Sequence, residues 1–377
     1  MPGSFRVARL FGIDVRIHIS WIVIFGLVFF SIYNQELPNN YPLWPREETL
    51  LVSAVTALLF FVSILAHELS HSLVARRFNM KVSSITLFLL GGVANLTQEP
   101  PTAKAEFLMA SAGPGMSLLI GLVCTAIGKL LFAAGPSFLQ PVRAVAEYLG
   151  YINLALAAFN MLPGFPLDGG RVLRSAIWGI RRDRAKATAI AARGGQLVAG
   201  LFVLWALVQL NADGFAGLWF WPLLLAYFLY NAATQSLKQE RLGGLAAGTR
   251  VAPLMNTSFL AADPRSTVAT VVRDLMLPRN MRAVPVVAGQ NFLGLMTTDD
   301  VRKVDHERWA TTPVDQVMTP TGNLAKLAPE DDLVQALERF GDTAVLPVVR
   351  DGRLVGLLDR EGVVNYIRMR DLFTQGR

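Results

Sequence analysis

The chain has 377 residues, 53% of them hydrophobic, and a positive mean hydropathy, which excludes an ordinary soluble protein of this size. Residues 1–245 carry 19 Lys and Arg against 12 Asp and Glu, whereas residues 246–377 carry 16 of each, so the excess basicity belongs to the apolar part. No basic face with aromatics or recognition motif appears, which excludes nucleic acid as a partner, and the lone Cys124 excludes an intrachain disulfide or a cysteine zinc cluster.

In chain order, Arg6, Arg9 and Arg16 precede an apolar run, 17–33, that ends in Asn34-Gln35-Glu36 rather than in a small-residue cleavage site. It is predicted to be an uncleaved membrane helix. Further runs near the 20 residues a bilayer requires lie at 50–76, 107–134, 144–162, 190–210 and 217–237. With six spans, Arg76, Arg77, Lys104, Arg181, Arg182 and Lys238 all fall on the side of the N-terminal arginines. The opposite loops carry only Arg46, Arg143 and Lys129. The excess of cations on one side predicts that both termini and the tail are cytoplasmic. The expected location is a prokaryotic plasma membrane, with the lipid bilayer as the chain's solvent.

Two stretches interrupt the helices. Residues 82–97 are β-prone and predict a short hairpin or extended segment. Residues 160–170, with Pro163, Pro166 and three glycines, cannot stay helical. Irregular backbone at membrane depth is tolerated only where it is buried in protein or lines a polar cavity, so a site is expected there.

The second span contains His67-Glu68-Leu69-Ser70-His71. Positions i and i+4 share a helix face, so two imidazoles one turn apart can bind one zinc while the glutamate between them acts as base. A pair of satisfied helix histidines is the plainer alternative. Ionisable groups inside a span are costly and usually functional, which favours the metal. Where some soluble zinc proteases continue the motif with Gly and a third His, this chain has Val74 and Arg77, so the third ligand must come from elsewhere. Asp168, in the broken segment, is the best candidate. Glu106 and Glu147 are weaker because each sits at a span boundary, and Asp183 is expected to pair with its neighbouring arginines. His71 lies five residues, about 8 Å, from Arg76, which places the metal near the cytoplasmic face.

These motifs, together with Gly91-Gly92-Val93-Ala94, Ala112-Gly113-Pro114 and the run Asn160 to Arg171, resemble those of the site-2 protease family of intramembrane metalloproteases over roughly residues 1–240. The resemblance implies that His67, His71 and Asp168 bind zinc and that Glu68 is the catalytic base. It also implies that Asn160 binds the substrate or polarises its carbonyl, and that the segment with Gly91 and Gly92 holds an extended substrate strand.

The tail repeats itself at an offset of 62 residues: Ala283 to Val287 matches Val345 to Val349, and Phe292 to Met296 matches Leu354 to Leu358. Amphipathic helical stretches are predicted at 267–276 and 331–340. The pattern resembles cystathionine-β-synthase-type (CBS) repeats. The resemblance implies a paired module, a homodimer formed through it, and an adenine nucleotide with Thr297 and Asp300 at its ribose. Repeat two has Asp359 and Gly362 in the matching places and looks degenerate.

The expected architecture is therefore a polytopic α-helical membrane protein of about six transmembrane helices with a short β segment, residues 1–245, followed by a soluble α/β CBS pair, 250–310 and 311–372. The expected activity is endopeptidase cleavage of a transmembrane protein within or near its membrane segment, modulated by the CBS repeats. The rival is a CBS-gated transporter using His67, His71 and Asp168 as an ion pathway. It is disfavoured because transport does not call for a glutamate between two histidines and no inverted repeat is visible.

Overall fold

A computed structural model describes residues 3–89, 91–96, 99–135, 137–213, 219–246, 248–341 and 343–375. It divides into two units, Met1–Lys238 and Gln239–Arg377.

The first unit opens with strands β1 (Ser4–Leu10) and β2 (Ile13–His18). The sequence reading missed this hairpin and began the first span at residue 17. The signal was there: Ile13, Val15 and Ile17 alternate with Asp14, Arg16 and His18, the period of a half-buried strand, and Ile13 and Val15 are buried. Long helices follow: α1 (Ser20–Asn40, with a π-helical stretch Ile32–Glu36) and α2 (Arg46–Arg77). Strands β3 (Val82–Phe88) and β4 (Gly91–Leu96) form the predicted hairpin. Then come α3 (Ala103–Ala134), α4 (Gln140–Asn160), α5 (Asp168–Arg181), α6 (Arg184–Asp213) and α7 (Phe220–Ala246).

Five helices among the described residues, α1, α2, α3, α4 and α6, are long and apolar enough to cross a membrane. Helix α7 stands where the sixth span was expected; its predicted start at 217–218 lies outside the described residues. Where α3 and α4 pack, Gly121 faces Leu154 and Gly150 faces Thr125 with no room for a Cβ. Small residues permit such close approach, a usual device where the hydrophobic effect cannot drive helices together.

The sheet has the order β1-β2-β3-β4, antiparallel except for the parallel β2–β3 pair. Strand β4 is thus an edge, and it lies on the cavity described below.

The second unit shows the repeat in its registers. Strands β5 (Ala283–Ala288) and β6 (Asn291–Thr297) pair with Ala283 opposite Thr297 and a bulge after Val286. After helix α8 (Leu333–Phe340), β7 (Val345–Arg350) and β8 (Arg353–Asp359) pair with Val345 opposite Asp359 and a bulge after Val348. Both positions in repeat two lie 62 residues on. The repeats also exchange parts. A Cβ on Gly294 would meet Met318 of the other repeat, and one on Gly356 would meet Met255. Ala246 and Val251 join Leu333, Phe340 and Leu346 in one apolar core. In the first repeat the predicted amphipathic stretch is the short helix Val268–Val271 continued by a π-helical turn to Met276.

Candidate metal centre

Helix α2 places the two histidines on one stripe, and α3 backs them. His67 is 4% exposed, and its Nδ1 lies 2.9 Å from the hydroxyl of buried Ser117. His71 Nδ1 lies 2.6 Å from the carbonyl oxygen of Met109. A carbonyl only accepts, so that nitrogen carries the proton and, in a neutral ring, Nε2 keeps its lone pair. The two Nε2 atoms stand 3.2 Å apart. Each is also 3.2 Å from Asp168 Oδ2.

These three edges test whether a zinc ion fits. A tetrahedral zinc with bonds of about 2.0–2.1 Å holds its ligand atoms roughly 3.3 Å apart. The three donor atoms meet that spacing, and three converging lone pairs call for a cation. Nδ1 partners that fix the rings are the usual outer shell of such a site. Gly113 leaves the necessary room: a Cβ there would overlap both Nε2 atoms.

Asp168 arrives from the other side. It is not in irregular backbone, as the sequence suggested, but in the first turn of α5, where the helix dipole favours an anion. Only the residues between Asn160 and Asp168 leave the helix. That loop is clamped by glycines: Gly164 lies on the backbone of Gly194 and Gly195 in α6, and Gly170 on that of Gly164 and Phe165. Phe165 N–H donates to Ala191 O at 3.1 Å. Sequence reasoning missed Gly194-Gly195, although a glycine pair within an apolar helix signals close backbone approach.

The residue next to His67 faces elsewhere. A Cβ on Gly92 would overlap Cγ of Glu68, so the Glu68 side chain rests against β4. A cavity of about 540 Å³ gathers all the candidates of this unit: His67, Glu68, His71, Gly91, Gly92, Asn160 and Asp168. Asn160 donates to Leu156 O at 3.1 Å. Arg171, one turn beyond Asp168, lines the cavity too, and so do Phe60, Phe61 and Ile64 of α2.

The weaker candidates are engaged elsewhere. Glu106 pairs with Arg174. Glu147 is held by Arg143 at 2.7 Å and Tyr41 at 3.0 Å. Asp183 pairs with Lys186 at 3.0 Å rather than with an arginine, and it also accepts the Lys186 N–H, as a residue beside a helix start does. Asp183 therefore titrates below the ordinary carboxylate value, through hydrogen bonds from the Lys186 backbone and side chain.

In the second unit, Thr297 and Asp300 form a capping box on the short helix Thr298–Arg302. Asp300 Oδ2 accepts from Thr297 Oγ1 at 2.7 Å and from its N–H at 3.1 Å, while Lys303 Nζ reaches Oδ1 at 2.8 Å. Burial pushes this carboxyl up, but the bonds from Lys303 and Thr297 outweigh it and hold it below the usual value. A cleft of about 230 Å³ opens instead between the two repeats, lined by Asn256 and Arg282 of the first and Asp359 and Glu361 of the second among others.

Comparison with known proteins matches residues 55–140 and 132–204 to peptidase family M50, and residues 251–307 and 314–369 to the CBS domain. A Synechocystis sp. protein provisionally named a zinc metalloprotease is 32% identical over 98% of this chain and 96% of its own. Rip3 of Mycobacterium tuberculosis, with the same provisional name, is 32% identical over 97% of this chain and 93% of its own. The solved site-2 protease of Methanocaldococcus jannaschii is 31% identical, with a TM-score of 0.42 over 62% of this chain and 95% of that one.

Proposed function

Since the chain belongs to peptidase family M50, the site-2 protease zinc metalloproteases, and carries a CBS pair, we propose that it cuts a membrane-anchored protein within or near its transmembrane segment. The observation that carries this reading is the convergence of His67, His71 and Asp168 at 3.2 Å, in one cavity with Glu68 and the edge strand β4.

His67, His71 and Asp168 are the zinc ligands. When bound, zinc supplies a Lewis acid that lowers the pKa of water and polarises a carbonyl. Glu68 is the base: its carboxylate takes the proton of the attacking water as the new C–O bond forms, then hands it to the departing amine as the C–N bond breaks. Asn160 orients the scissile carbonyl. A transmembrane helix keeps its carbonyls in internal bonds, so the substrate must unwind. The unpaired edge of β4 then offers its freed backbone the partners that lipid lacks, and Gly91 and Gly92 let it approach closely.

The division into a membrane protease of residues 1–245 and CBS repeats at 250–310 and 311–372 belongs to this reading. So do cytoplasmic termini and regulation by an adenine nucleotide on the CBS pair. Zinc analysis and cleavage of a membrane-anchored substrate by purified protein, beside Glu68→Gln, test the reading. Wild-type protein free of zinc, or cleavage that survives Glu68→Gln, would sink it. Sidedness is tested separately in a Cys124→Ala background: a cysteine at Ser236 should react with reagent from the cytoplasm and one at Ala212 should not. The reverse pattern overturns the orientation.

A further inference from the structure

Glu106 and Arg174 do not line the cavity, yet they join the helices that supply the two sides of the site. Glu106 is fully buried in α3 and Arg174 is 8% exposed in α5. Arg174 Nε donates to Glu106 Oε1 at 2.7 Å, with a second bond from the same guanidinium. The guanidinium also sits 5.0 Å from the centroid of the Phe165 ring, in the loop that leads to Asp168.

Helix α3 holds both imidazoles from behind, through Met109, one turn beyond Glu106, and through Ser117. Helix α5 carries Asp168 six residues, about 9 Å, before Arg174. The spacing between the imidazoles and the carboxylate is therefore the spacing between α3 and α5. Two buried charges are a poor way to gain net stability, since apolar residues of similar volume often do as well. What a guanidinium with two N–H groups on the one oxygen Oε1 adds is a defined distance between the two helices. We propose that Glu106 and Arg174 are positioning residues, an ion pair that fixes α5 against α3 so that Asp168 Oδ2 is held at the metal site before the ion arrives. The inference rests on the zinc-site reading above.

The test is metal binding by the full-length protein in detergent, measured by chelator competition with zinc and by the visible absorption spectrum with cobalt(II). The double variant Glu106→Leu/Arg174→Met leaves no charge stranded, so it isolates geometry from the burial of a lone ion. We expect its zinc affinity to fall on the order of tenfold or more, the range seen when a ligand's support is lost. Its cobalt spectrum should shift while its thermal midpoint stays near wild type. Arg174→Lys, which keeps a cation opposite Glu106, should recover part of the affinity. Wild-type affinity and spectrum in the double variant would overturn the proposal. So would parallel losses of affinity and thermal midpoint in both variants, because the pair would then be only a general stabiliser. His67→Ala separates the two readings: zinc binding that survives it removes the metal site itself, whatever the ion pair does.

Discussion

His71 Nδ1 lies 2.6 Å from the backbone carbonyl oxygen of Met109, so a residue on α3 decides which nitrogen of a histidine on α2 is free for a metal. That bond commits Nδ1 to donating and turns the bare Nε2 toward His67 and Asp168.

His67→Ala, His71→Ala and Asp168→Ala should each lower zinc content measured by elemental analysis. Glu68→Gln should keep zinc and reduce cleavage by roughly 10²–10⁴-fold, the contribution of a positioned proton carrier. Full zinc and full activity in Asp168→Ala would remove it as the third ligand.

Two glycines should fail in different ways. Gly113→Ala drives a methyl group into both Nε2 atoms, and metal binding should be lost from folded protein. Gly92→Ala displaces the Glu68 side chain instead, so zinc should remain while cleavage falls. Zinc content and turnover measured side by side distinguish the cases; equal behaviour of the two variants contradicts the placement.

Proline scanning of β4 tests strand addition. Leu89 is a poor probe because its N–H already donates to Ser20 Oγ at 3.2 Å, and Leu90 lies outside the described residues. Through 92–95, donors alternate between β3 and the open edge. Proline at edge-facing positions should lower cleavage with zinc preserved, and at the others should disrupt the β3–β4 hairpin. Uniform, unaltered turnover along the scan argues against a substrate strand there.

Asp300 gives the CBS pair an acid-sensitive cap. Its carboxyl titrates lower in the folded chain than the roughly 3.9 of an unfolded one. The stabilisation is therefore complete above that value and is lost as pH falls through the folded one. Asp300→Asn should lower the unfolding free energy at neutral pH by the worth of a capping interaction, about 1 kcal/mol, and less below pH 4. The same side chain is the proposed ribose contact: its longest bonds, 3.3 and 3.4 Å from Thr319 Oγ1, are those a ribose hydroxyl would replace. Calorimetry with adenine nucleotides should show weaker binding in Asp300→Ala than in Asp359→Ala. The opposite order would move the nucleotide to the cleft beside Asp359.

Much of this protein can be read from its sequence because the information is local. Two histidines at i and i+4 and long apolar runs follow from chain geometry within one element, and a 62-residue repeat shows in the order of residues along the chain. The repeat even foretells matching registers, since Ala283 faces Thr297 as Val345 faces Asp359. The β1–β2 hairpin was legible too, and was hidden only because its alternation runs directly into the apolar residues of α1.

Other features depend on residues that no spacing connects. That Glu106 would pair with Arg174 across 68 positions, that Gly194-Gly195 would clamp the loop before Asp168, or that Gly113 would sit on two imidazoles is settled only when α2, α3, α5 and α6 pack. Glu106, Glu147 and Asp168 are all acidic residues near the ends of apolar runs. Sequence ranks them by their neighbours along the chain. Tertiary structure separates them by distance, because a carboxylate becomes a metal ligand only where other lone pairs meet it at the spacing one ion imposes.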